Sequence, residues 1–156
     1  MNLYLISVAN RAEAWVEAGY AHYARRLQRE VNLILKVLPL PKRSQKGDIE
    51  RLKRQEAGLI EAALPPRAHT VALEVEGQRW STEQLASQLA QWQQLARPVA
   101  LIVGGPDGIE SELSRGCQQS WSLSPLTLPH PLVRIVVAEQ LYRAWSLLNN
   151  HPYHRL

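Results

Sequence analysis

The chain has 156 residues, 46% of them hydrophobic, with 18 Lys+Arg against 14 Asp+Glu for a net charge of +4. That is enough to bury one sizeable core and too little for two ordinary domains, so a single domain over residues 1–156 is expected. The mild positive charge permits a polyanionic partner without requiring one, and the lone Cys117 excludes a disulfide framework and a cysteine-built zinc cage, which fits a reducing, cytoplasmic setting.

Asn2 to Val8 is a short apolar run of the kind buried on both faces of a sheet, and it lacks the basic flank and cleavage site of an export signal. No run approaches the length of a membrane span, so no membrane segment is expected. Trp15, Val16, Gly19, Tyr20, Tyr23 and Leu27 recur at helical spacing, with Arg25, Arg26 and Arg29 near the end of that helix. Val31 to Leu38 reads as a second strand. The prolines of Pro39–Gly47 cannot continue a ladder, and they leave Lys42, Arg43 and Lys46 on a loop.

Asp48 is placed to cap a helix carrying Ile49, Leu52, Glu56, Leu59, Ile60 and Ala63, which Pro65-Pro66 ends. Thr70 to Val75 is a third strand. Ser81-Thr-Glu-Gln84 opens a helix presenting Leu85, Leu89, Trp92 and Leu95, and Pro98 to Val103 is a fourth strand. Alternation of this kind predicts an α/β fold, a mostly parallel sheet flanked by helices, with ligands outside the carboxyl ends of the strands. Gly77, Gly104 and Gly105 fall at those ends.

The last third holds the candidate chemistry. Gly104-Gly-Pro-Asp-Gly108 follows a fully apolar strand; it is either a plain turn or a place where backbone approaches a ligand, and Asp107 is a candidate cap for a following short helix. It has neither the spacing nor the Lys-Ser/Thr pair of a phosphate-binding loop. Ser122 to Pro131 alternates leucines with hydroxyls across prolines. Its Leu123, Leu126 and Leu128 would either wall an adenine or belong to a buried edge strand and loop.

From Pro131 a helix carries apolar residues around more of its circumference than one sheet face covers, which a subunit interface would absorb, and Glu139 is spaced to pair with Arg143. His130, His151 and His154 fall in the closing segment with Tyr153 and Arg155. No acidic or cysteine partner stands at ligand spacing, so no metal site is expected. A polar C-terminal tail of this kind is either frayed or a source of base and RNA contacts.

Taken together, Leu101–Gly108, the run from Ser120 to Arg134, and Tyr142–Ser146 with Asn150–Arg155 resemble the small SPOUT-class methyltransferases that act on N3 of a pseudouridine in 23S rRNA. The resemblance runs essentially end to end. It implies an S-adenosylmethionine-dependent transferase, a homodimer, a trefoil knot in the C-terminal part, and rRNA within the ribosome as partner. The knot follows from the resemblance alone, since chains are ordinarily unthreaded. Carried over by motif, the cofactor contacts are Leu73, Gly104, Leu123, Ser124, Pro125, Leu126, Thr127 and Leu128. Pro125 stands where a small residue also occurs in relatives, and Glu74-Val-Glu-Gly77 departs from an Asp-x-x-Gly pattern.

Methylating an imide nitrogen requires alignment, removal of its proton and a cation or donor for the charge that spreads onto the flanking carbonyls. His130, Tyr153, His154 and Arg155 supply those chemical types. Arg155 and His154 suit charge stabilisation and orientation, Tyr153 suits packing or hydrogen bonding against the base, and the proton acceptor stays open. The resemblance also implies that the tail of one subunit completes the pocket of the other. Arg25, Arg26, Arg29, Lys42, Arg43 and Lys46 are candidates for rRNA phosphates, and assembled particles are the expected substrate over naked RNA. The alternative from another class is a non-catalytic ribosome- or RNA-binding factor on the same scaffold.

Overall fold

The computed structural model describes residues 1–27, 30–42 and 48–155; Arg29, Arg43 and Lys46 lie outside them. Five strands, β1 (Asn2–Val8), β2 (Asn32–Leu38), β3 (His69–Arg79), β4 (Val99–Val103) and β5 (Gln119–Ser122), form one sheet in the order β2-β1-β4-β3-β5. Every pairing is parallel, and Leu101 of β4 lies opposite both Leu5 of β1 and Val71 of β3. Helices α1 (Ala14–Ala24), α2 (Ile49–Ala63), α3 (Thr82–Gln94), α4 (Ser111–Gly116) and α5 (His130–Leu148) alternate with the strands, and a 3₁₀ turn, Pro152–Arg155, closes the chain.

Side-chain alternation along the strands divides the core in two. Leu3, Leu5, Val71, Val99 and Leu101 face Leu85, Leu89 and Trp92 of α3 and Val137 and Leu141 of α5. Ile6, Val8, Ala72, Ala100 and Ile102 point the other way, against Ala57 and Ile60 of α2 and Leu113 of α4. The central strand β4 is therefore apolar and buried at every position, as a sheet covered on both faces requires.

Caps set the helix starts. Asp48 accepts from the Glu50 amide at 3.0 Å, and Ser81 and Gln84 exchange side-chain to backbone bonds in a capping box. Asp107 is not the cap of α4. Glu110 caps it, accepting from the Leu113 amide at 2.9 Å, because the helix begins three residues later than the glycine turn alone suggests. Trp15 is 53% exposed rather than part of the packed stripe. Gly19, where an added Cβ would meet Ile135 Cδ1 at 2.9 Å, brings α1 close to α5 instead.

The third strand runs four residues past the expected Val75, through an irregularity. Trp121 of β5 pairs with both Leu73 and Gln78, so residues 74–77 bulge out of the ladder toward the carboxyl edge. Gly77 makes this possible: an added Cβ would lie 2.7–2.8 Å from the Trp121 backbone. No described helix is long and apolar enough to cross a membrane.

Candidate active site

The carboxyl edge of the sheet gathers three turns around a cavity of about 900 Å³. The β3 bulge contributes Leu73, Glu74, Val75 and Glu76; the turn after β4 contributes Gly104 to Gly108; the segment after β5 contributes Leu123, Ser124, Leu126, Thr127 and Leu128. Pro125 is the one motif position that does not line the cavity; it is exposed on the outer side of its loop.

Each turn is held by its own chemistry. Gly108 donates its amide to the Gly105 carbonyl at 3.0 Å, and the Gly105 amide donates to Glu56 Oε1 at 3.0 Å from beneath. A Cβ at residue 105 would collide with that carboxylate. In the third turn, Ser122 Oγ donates to the Ser124 carbonyl at 3.0 Å while Ser124 Oγ accepts from the Leu126 amide at 2.9 Å. The hydroxyls of this run thus freeze the loop backbone. Leu126 is left 70% exposed over the cavity, a large apolar side chain with nothing on it. Glu56 is the residue that sequence reasoning missed: a carboxylate on the apolar stripe of α2, 3% exposed, is the signal that it serves something above it.

His130, the first residue of α5, lines the same cavity from the side. Burial holds it below the ordinary histidine value; the backbone of Gly105 works against that shift and the charge of Arg134 adds to it. Its Nδ1 is buried and has no hydrogen-bond partner among the described residues. An imidazole whose basicity is lowered by burial is a candidate proton acceptor.

The other three candidates are elsewhere. α5 has 19 residues, about 28 Å of helix, and the tail follows its far end. Tyr153 Oη donates to Glu139 Oε1 at 2.8 Å, and Arg143, paired with the same carboxylate at 2.7 Å, lies 5.1 Å over the Tyr153 ring. The Tyr153 ring also packs 4.5 Å from that of Tyr142. Burial first, and Glu139 second, raise the Tyr153 hydroxyl well above the ordinary tyrosine value. His154 is half-buried, with Nδ1 unpartnered among the described residues, and Arg155 is exposed. Within one chain, then, His130 lines the cavity, whereas the tail folds back along α5 with Tyr153 docked on Glu139, nine residues from His130, and Tyr153, His154 and Arg155 do not line the cavity. Among the described residues no group of three His, Cys, Asp or Glu side chains is arranged to hold a metal ion.

A family model described as "Predicted SPOUT methyltransferase" matches residues 1–154. The chain belongs to the SPOUT methyltransferase family. It is 53% identical over 155 residues to a protein from Azotobacter vinelandii named "Ribosomal RNA large subunit methyltransferase H", covering 99% of this chain and 100% of that one. Relatives with the same name from Hahella chejuensis and Methylococcus capsulatus are 50% and 51% identical, over 99% of this chain and 99% and 100% of theirs. A crystal structure of a methylase family protein from Neisseria gonorrhoeae shares the fold at a TM-score of 0.54 with 16% identity, covering 90% of this chain and 81% of that chain. Membership in the SPOUT methyltransferases makes this chain an enzyme of methyl transfer rather than a non-catalytic scaffold.

Proposed function

We propose that this SPOUT methyltransferase transfers a methyl group from S-adenosylmethionine to N3 of a pseudouridine in 23S rRNA, on assembled ribosomal particles in the cytoplasm. What supports the reading is the convergence of three backbone turns and one neutral, buried histidine on a single cavity, together with relatives named for large-subunit rRNA methylation at about half identity over the whole length.

The cavity fits the cofactor in size and chemistry. Its 900 Å³ is within the range of small-molecule sites. Leu73, Leu123, Leu126 and Leu128 offer apolar walls for a purine, and the Gly104 to Gly108 backbone lets a ligand approach without side chains in the way. Ser124 and Thr127 supply polar atoms at the rim, and Pro125 stiffens the loop from outside. When bound, S-adenosylmethionine supplies an electrophilic methyl group already activated by the adjacent sulfonium. What remains for the protein is alignment and proton removal.

His130 accepts the N3 proton. Burial holds its basicity below the ordinary histidine value, and it lines the cavity that would hold the methyl donor. The charge left on the imide needs donors, which Tyr153, His154 and Arg155 provide from the tail of a second subunit. The chain's own tail does not line its cavity, so the homodimer is the catalytic unit in this reading. The exposed apolar Leu132 and Leu148 on α5 suit such an interface. The C-terminal part of the chain forms the trefoil knot that the family resemblance implies. Arg25, Arg26 and Lys42 add phosphate contacts around the site.

The test is transfer of labelled methyl to ribosomes with and without the pseudouridine, and to protein-free rRNA. Transfer that needs the pseudouridine and runs faster on ribosomes is expected. Equal labelling of all three substrates would overturn the assignment. Truncation after Asn150 is expected to abolish turnover while cofactor binding persists.

A further inference from the structure

A guanidinium taken out of water is tolerated only where carboxylates, phosphates or several acceptors replace its hydration. Arg134, one turn into α5, is 6% exposed, yet its Nε has no hydrogen-bond partner among the described residues. The hydroxyl of Tyr20 on α1 is buried in the same condition. Burial pushes that hydroxyl up to about 12 against the opposing charge of Arg134, so it is a protonated donor throughout the neutral range.

Both groups open on a cavity of about 480 Å³ at the β2 edge. Arg134 also lines a smaller cavity of about 270 Å³, which His130, one turn back on the same helix face, and Pro106 line as well. His130 in turn belongs to the 900 Å³ cofactor cavity. The three cavities adjoin through shared wall residues, His130 between the first and the smallest and Arg134 between the two smaller ones, and Arg134 lies four residues and about 6 Å along the helix axis from His130. Arg11, exposed on the loop between β1 and α1, stands over both smaller cavities. Glu17 and Glu13 share these linings, but no ion pair joins either to Arg134 among the described residues.

We propose that Arg134, Tyr20 and Arg11 form an anion subsite that takes a phosphate group of the RNA strand flanking the nucleotide presented at His130. The two guanidiniums and the Tyr20 hydroxyl together offer hydrogen-bond donors and positive charge, which matches a phosphate oxyanion. The subsite opens toward the acceptor side of His130, so the ligand it takes arrives with the acceptor strand. Arg11 at the rim draws the phosphate in, and Arg134 with Tyr20 fixes its position, which sets the reach of the attached base. This inference rests on the reading that the acceptor base meets His130.

Arg134→Met tests it, because methionine keeps the stem and removes the charge. The wild-type dimer is expected to melt higher in inorganic phosphate than in chloride at matched ionic strength, and the R134M dimer is expected to lose that difference. Its melting point in chloride should match or exceed the wild type, since an unpaired buried charge is gone. The KM for ribosomes should rise roughly tenfold or more, from the loss of charge-assisted bonds, with S-adenosylmethionine affinity by calorimetry unchanged. Tyr20→Phe, which preserves packing, should raise the KM by about threefold. A phosphate-dependent melting shift equal in wild type and R134M overturns the subsite. So does a fall in the R134M melting point together with dimer dissociation, which assigns Arg134 to an acceptor on the second subunit. Absence of methyl transfer by the wild type would instead sink the functional reading, and the phosphate-dependent melting shift still decides the subsite.

Discussion

The two ends of the sheet treat polar groups in opposite ways. At the amino end of β3 and β5, Gln119 Oε1 accepts from His69 Nε2 at 2.7 Å and from Trp92 Nε1 at 2.8 Å, while its amide donates to Gln88 at 2.7 Å. Because a carbonyl oxygen only accepts, His69 carries its proton on Nε2 and leaves Nδ1 to accept from Arg97 at 3.4 Å. Thr70 is bonded twice to Gln118, and Trp80 stacks 5.5 Å from Trp121 above the network. Apart from Arg97 Nε, the buried polar side-chain atoms of this network are paired among the described residues. At the carboxyl end, His130 Nδ1, Arg134 Nε and the Tyr20 hydroxyl are buried with no partner among the described residues. A satisfied network contributes stability; donors and acceptors kept out of water without partners are held ready for a ligand, at a cost to the folded state.

The sharpest way to break this contrast is at His130. His130→Gln is expected to lower kcat/KM by roughly 10²–10⁴-fold, the usual contribution of a positioned base, with cofactor affinity retained. The pH dependence follows from burial. The folded protein resists protonating His130 below the ordinary value of 6.5, whereas the unfolded chain does not. Between those two values the unfolded state binds more protons, so stability falls as pH drops below about 6.5 and continues to fall to the depressed folded value. The acid limb of wild-type activity should therefore lie below pH 6.5. H130Q should lose both that limb and the corresponding slope in its melting temperature. Full activity in H130Q with an unchanged limb would remove His130 from the chemistry.

On the closed end the expected effect is on stability alone. Trp92→Ala removes a side chain 1% exposed that also bonds Gln119, and should destabilise by about 3–5 kcal/mol in chemical denaturation. Cofactor affinity of the folded fraction should stay within twofold. Gly105→Ala should combine the two outcomes. Its Cβ drives into the Glu56 carboxylate under the turn, destabilising by about 2–4 kcal/mol and weakening cofactor binding together. Loss of cofactor affinity in W92A equal to that in G105A would erase the distinction between the ends.

The same contrast decides what could be read from the chain. β1, β4, α2 and α3 were legible because apolar period and local caps agree: Asp48 and Ser81 act within three residues of themselves. β5 was not, because Gln-Ser-Trp-Ser is too short to show a period and pairs only with a bulged strand. The β3 bulge depends on Gly77 meeting the backbone of Trp121, 44 positions away, which no local pattern contains. Glu56 and Arg134 carried a readable signal, a charge within an apolar helix stripe, but not its meaning. Whether such a charge faces solvent, a backbone amide or a cavity is settled by the sheet edge it reaches.

The smallest expected effect concerns the tail. In one chain Tyr153 is docked on α5 through Glu139, with Arg143 bridging both, and it does not line the cavity of its own subunit. Tyr153→Phe keeps the ring contacts with Tyr142 and removes one hydrogen bond to a carboxylate, so stability should fall by only about 1 kcal/mol. If the tail serves a partner's site, the activity of Y153F homodimers should fall, and mixing them with H130Q homodimers should restore turnover. A heterodimer pairs one intact His130 with one intact tail across the interface. No recovery on mixing, under conditions where subunits exchange, would place Tyr153 and His130 in the service of the same subunit and undo the composite site.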